Sequence, residues 1–208
     1  MKQFILLIVL CLSEYSSAQQ LPFTRLSGSD IPRYAVPDSA LKAAYEWVDH
    51  NGRHLTLISE TGATPHVGSE ENESRDARLR VNDYLYDNAL PKLLWTIADS
   101  IIDCPVEISC ATIDSTFEVT DLDNNGIGEV WIMYKNSCYG DVSPISMSLV
   151  MYQGQAKHVM SGTTRVRPSR VEVSGGEYRF DSNFLSLPRV FRERAKKKWR
   201  AHVTERWR

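Results

Sequence analysis

The chain has 208 residues, 42% of them apolar and 10% aromatic, with a formal net charge of −2. That length favours one domain of ordinary size, the apolar share suffices for a core, and eleven glycines with nine prolines exclude collagen-like and low-complexity classes. The near-neutral total is a cancellation: residues 188–208 hold nine Lys/Arg against Glu193 and Glu205, a net of +7, which leaves −9 for residues 1–187.

Residues 1–18 read as a secretory leader, with Lys2 before an apolar run over 4–12 and the small residues Ser16 and Ala18 before a cleavage point after Ala18. The run is too short for a membrane span, and Leu10 before Cys11 does not suit a lipoprotein cleavage site. The expected mature protein is soluble and periplasmic or extracellular. Asn51-Gly52 between two alternating runs predicts a hairpin with strands at 43–48 and 53–59. Residues 60–76 are polar and punctuated by Gly62, Pro65 and Gly68, so an exposed loop is expected; it carries the sequon Asn72-Glu73-Ser74. Alternation predicts strands at 77–86 and 93–102, with a helix over 90–102 as the alternative. Further strands are expected at 117–121, 129–135, 146–152, 157–162, 171–174 and 178–180, with turns at Gln153-Gly154 and Gly175-Gly176.

The helical pattern comes last. Over 187–207, Phe191, Ala195, Trp199, Val203 and Trp207 recur every four residues among lysines and arginines. Such a helix can pack on the sheet, lie on anionic envelope lipid, or meet another acidic partner or a glycan; export argues against nucleic acid. The fold class is therefore mainly β, α+β at most: an antiparallel meander or sandwich with a C-terminal amphipathic helix.

Three cysteines remain after the leader, Cys104, Cys110 and Cys138. In an oxidising compartment one disulfide and one thiol are expected, and loop entropy favours Cys104 or Cys110 with Cys138, worth roughly 3–4 kcal/mol. His50, His54 and His66 could be drawn as a zinc site, but histidines at a hairpin mouth are ordinarily solvated. Asp99 with Asp103 and Asp141 with Ser143 are read as turn or capping residues. No nucleophile elbow, phosphate loop or dinucleotide glycine pattern occurs in the sequence.

The segment from Asp121 to Glu129 carries the chemistry. It reads Asp-x-Asp-x-Asn-Gly-x-x-Glu between two predicted strands. Side-chain oxygens of Asp121, Asp123 and Asn125 converge at alternate positions, Gly126 permits the sharp turn, Ile127 offers its carbonyl and Glu129 closes the shell. Hard oxygen donors of this kind suit Ca²⁺. The loop is similar to the first half of an EF-hand but has Ile132 where that motif places its bidentate glutamate. It is closer to the strand-loop-strand calcium loops of extracellular β-propeller repeats, here in a single copy.

The run Thr120-Asp-Leu-Asp-Asn-Asn-Gly-Ile-Gly-Glu-Val-Trp-Ile-Met-Tyr-Lys resembles an uncharacterised family of exported bacterial proteins labelled surface polysaccharide biosynthesis protein. Cys138-Tyr-Gly-Asp-Val-Ser-Pro, Met147-Ser-Leu-Val-Met-Tyr-Gln-Gly, Trp47-Val-Asp and Trp95-Thr-Ile-Ala-Asp fit the same resemblance, over roughly residues 30–165. It implies an envelope context and supplies no catalytic residues; Cys110 and the basic tail depart from it. The sequence thus favours a calcium-binding, non-catalytic envelope or carbohydrate-associated module, against the alternative of an enzyme of envelope glycan metabolism.

Overall fold

The computed structural model describes residues 19–32, 40–68, 74–87, 90–167 and 172–205. The leader, Asn72 and Glu73 of the sequon and Trp207 lie outside them. In chain order the strands are β1 (Gln19–Gln20), β2 (Phe23–Leu26), β3 (Leu41–Asp49), β4 (Gly52–Glu60), β5 (Thr64–Pro65), β6 (Arg75–Asp87), β7 (Leu90–Cys104) and β8 (Glu107–Thr112). There follow β9 (Glu118–Asp121), β10 (Glu129–Tyr139), β11 (Ser146–Gln153), β12 (Ala156–Thr163), β13 (Arg165–Val166), β14 (Ser174–Gly175) and β15 (Tyr178–Phe180), then helices α1 (Ser182–Ser186) and α2 (Arg189–His202). The protein is mainly β, as expected, and sandwich-like.

A six-stranded antiparallel sheet runs β2-β3-β4-β6-β5, with β7 also on β6. A seven-stranded one runs β1-β9-β10-β11-β12-β15, with β8 also on β10. The larger sheet is covered on both faces, and β10 explains how. Val130, Ile132 and Tyr134 join Ala43, Trp47, Leu79, Val81 and Ile97 in the core between the sheets. The alternate residues Trp131 and Met133 join Phe191, Ala195 and Trp199 on the helical side. A strand buried on both faces reads as a continuous apolar run, and Val-Trp-Ile-Met-Tyr is one.

The stripe predicted on the C-terminal helix is consumed by this packing: Phe191, Ala195, Trp199 and Val203 are each at most 1% exposed. Lys198 and Arg194 turn inward as well, both onto the buried carboxylate of Glu118, and Lys198 also donates to the carbonyl of Thr116. Burial and the neighbouring Arg194 hold the Lys198 ammonium down to about 8. What the helix offers a partner is therefore cationic surface at Arg189, Lys197 and Arg200, without an apolar face to insert in lipid. No helix among the described residues is long and apolar enough to cross a membrane.

The helix is shorter than the predicted 187–207. Pro188 caps its start, and beyond His202 the chain is drawn into pairing with β13, through Arg165 N–H to the Val203 carbonyl and Glu205 N–H to that of Arg165. Three further expectations shift. The 90–102 alternative resolves as a fifteen-residue strand, residues 172 and 173 are not strand, and β8 and α1 are additional. α1 forms because Asp181 caps it, accepting Phe184 N–H at 2.7 Å.

Cys104 on β7 and Cys138 on β10 form a disulfide across the two sheets, consistent with an oxidising compartment. Cys110 is the buried free thiol, which burial and the nearby Asp99 charge push up to about 11, well away from nucleophilic use.

Candidate metal centre

The β9–β10 connection is built by its own short polar side chains. Asp121, the last residue of β9, accepts the N–H groups of Asn125 at 3.1 Å and Gly126 at 3.0 Å. Asp123 accepts from the Asn125 side-chain amide at 3.0 Å and from Gln153 Nε2 at 3.1 Å. Asn125 Oδ1 accepts Ile127 N–H at 2.8 Å. Asn124 and Gly126 take the left-handed conformation, φ 56° and 80°, that these residue types tolerate.

Glu129, the first residue of β10, is fully buried. Its carboxylate accepts from the Thr120 hydroxyl at 2.6 Å, from Leu122 N–H at 2.9 Å and from Gln153 Nε2 at 3.2 Å. Carboxylate oxygens of Asp121, Asp123 and Glu129 lie within 4.8 Å of one another, a grouping that could hold a metal ion. Burial pushes the Glu129 carboxyl up to about 7, and the charges of Asp123 and Asp121 add to that. The three carboxylates are the predicted ligands at positions 1, 3 and 9 of the loop. Asn125, by contrast, spends its amide oxygen on the loop's own backbone, and nothing observed directs the Ile127 carbonyl at the trio.

The sequence did not reveal what holds this loop against the opposite sheet. The β3–β4 hairpin tip docks on it: His50 N–H donates to the Gly126 carbonyl at 2.8 Å, and Asp49 Oδ2 accepts Gly128 N–H at 2.9 Å. Gly128 has no room for a side chain, since a Cβ there would stand 2.6 Å from the Trp47 ring. Behind the tip lies a buried polar network. His54 places Nε2 3.2 Å from Asp49 and Nδ1 2.9 Å from Asp83, and Asp83 accepts from Thr56 at 2.7 Å. Thr56 in turn accepts from the Trp47 indole at 3.0 Å, and the Trp47 ring stacks on His54.

The expectation that His54 is solvated is thus corrected: it is 1% exposed. Nor do the histidines gather around a metal, because His54 is taken by two aspartates and His66 pairs with Asp76 at 2.8 Å. Asp141 serves a turn as expected, accepting Ser143 N–H at 3.0 Å, whereas Asp99 does not: it lies within β7, and its carboxylate accepts from the Asn136 side-chain amide of β10. The only sequence signal for the network was Asn51-Gly52, which marks the tip but not its partner.

Burial works against a charged imidazole, yet hydrogen bonds and charges of Asp49 and Asp83 outweigh it and push His54 up to about 9. Because the folded value lies above the unfolded 6.5, the stabilisation is complete below pH 6.5 and is lost as pH rises through 9. Melting temperature is therefore expected to fall between pH 6.5 and 9 in the wild type and to fall less in His54→Gln, as followed by thermal unfolding across that range.

Comparison of the chain with family models, curated proteins and solved structures gives no match to any of them.

Proposed function

We propose that this chain is an exported, calcium-braced, non-catalytic binding module of the cell envelope. The observation that carries the reading is the trio of Asp121, Asp123 and Glu129, with Glu129 at 0% exposure beside two further carboxylates. Like charges this close repel, and a bound cation reverses that repulsion into attraction. Calcium is the ion that suits a cluster of carboxylate oxygens on a polar turn, whereas zinc favours nitrogen and sulfur donors in tetrahedral array. Export is supported by the leader and by the disulfide between Cys104 and Cys138.

A bracing role suits the loop's position, because it joins two strands of one sheet and meets the hairpin tip of the other through Asp49 and His50. The carboxylate–imidazole array of Asp49, His54 and Asp83 is closed to solvent, which suits a structural rather than a catalytic use.

Thermal unfolding tests the reading. Calcium at about a hundred times its dissociation constant is expected to add about 2.7 kcal/mol, which is roughly 5–10 °C in a domain of this size. A chelator reverses the gain, and Glu129→Gln abolishes it. An unchanged melting temperature on calcium addition contradicts the reading.

A further inference from the structure

The two sheets do not cover one another completely. β7 lies on the β6 edge of its sheet, and a groove opens between its Asp99 and residues of β10, β11, β12 and β15 of the seven-stranded sheet. The residues facing inward change character across that boundary. Ile132, Val150 and Val159, partners across β10, β11 and β12, are apolar and belong to the core. The next row inward, in register across four strands, is Tyr134, Ser148, Ser161 and Arg179. Beyond it Thr163 bonds Glu177 at 2.8 Å.

The wall of the resulting groove is Asp99, on the inward face of β7 between the core residues Ile97 and Ile101. Asn136 on β10 donates its side-chain amide to Asp99 and so ties the wall to the larger sheet. The groove has a volume of about 510 Å³. Its floor spans three interstrand spacings, about 14 Å.

We infer that this groove binds a neutral saccharide. The chemistry selects that class by elimination. Two carboxylates and one guanidinium, at Asp99, Glu177 and Arg179, give no excess of positive charge for a phosphate, and Tyr178 is the one exposed apolar side chain of the lining, too little for an acyl chain. Serine and threonine hydroxyls both donate and accept, and a carboxylate accepts from paired hydroxyls, so the surface matches a ligand made of closely spaced hydroxyl groups. Serine in mid-strand also lacks the bulk with which exposed sheet faces are ordinarily filled. The groove lies at the end of β10 and β11 remote from Glu129, about seven residues or 23 Å along the strand. The inference deepens the binding-module reading and rests on it, while remaining separable from the metal.

The test is a chemical-shift titration of the isotope-labelled full chain with glucose, galactose, mannose and N-acetylglucosamine and with their β-linked disaccharides. Saturable shifts are expected at amides of β11, β12 and β15, and Ser161→Leu should weaken binding by about tenfold or more. Arg179→Gln, on the exposed edge, gives a second variant that does not disturb the core and should weaken binding as well. The inference is overturned if none of these sugars moves those amides, or if both variants bind as the wild type does. Sugar resonances in the same samples separate the two claims: cleavage of a bound disaccharide keeps the groove and removes the non-catalytic reading. Absent sugar binding with intact calcium stabilisation removes the groove and keeps the brace.

Discussion

Replacing His54 with leucine is expected to lower the unfolding free energy by about 3–5 kcal/mol, because it leaves two buried carboxylates facing each other across an apolar side chain. The fully buried Asp83 and the Asp49 side chain, 1% exposed, both contact the imidazole, so neither can turn to water when it is removed. In a domain of this size that corresponds to a fall of roughly 6–20 °C in melting temperature. The damage should also reach the β9–β10 loop, since the oxygen of Asp49 that holds Gly128 belongs to the carboxylate His54 orients. Adding Asp83→Leu to the same variant is expected to recover part of the loss, because the unpaired charge causes more of the penalty than the lost hydrogen bond. A single-variant loss under about 1 kcal/mol would show that the network is decorative.

The double replacement of Cys104 and Cys138 by serine should cost about 4 kcal/mol, from the loop entropy of a 34-residue closure. Its consequence is more specific than general destabilisation. The bridge ties β7 of one sheet to β10 of the other. Urea unfolding is expected to show a lower midpoint, and protease cleavage at the β7–β8 connection should become faster. A midpoint unchanged by the substitutions would mean that the core between the sheets suffices without the bridge.

Much of this fold was legible because its signals are local. Asn51-Gly52 places a turn whose strands, predicted at 43–48 and 53–59, are β3 and β4 at Leu41–Asp49 and Gly52–Glu60. The alternation in β11 and β12 fixes their faces, and the four-residue repeat of Phe191, Ala195 and Trp199 fixes the buried side of α2. The carboxylate trio was legible for the same reason, since Asp121, Asp123 and Glu129 lie within nine residues of chain. What was illegible depends on partners distant in sequence. β8 has a poor alternating pattern of its own and is a strand because β10 offers it an edge. The last residues of the predicted helix leave it because Arg165 supplies backbone partners. Asp49 meets Gly128 across 79 residues, and His54 meets Asp83 across 29, so neither pairing leaves a spacing to read. A histidine at a hairpin mouth is ordinarily wet; this one is dry because Trp47 stacks on it, Asp49 and Asp83 take both its ring nitrogens and the β9–β10 loop docks on the tip.

The brace itself is tested most directly by calorimetric titration of calcium into the wild type and into Asp123→Ala. Asp123 is the exposed member of the trio, so its removal spares the core while deleting one charged donor. A saturable heat with one ion per chain is expected in the wild type, and a loss of at least about tenfold in affinity in the variant. No heat in the wild type, or the same isotherm in both proteins, contradicts the account.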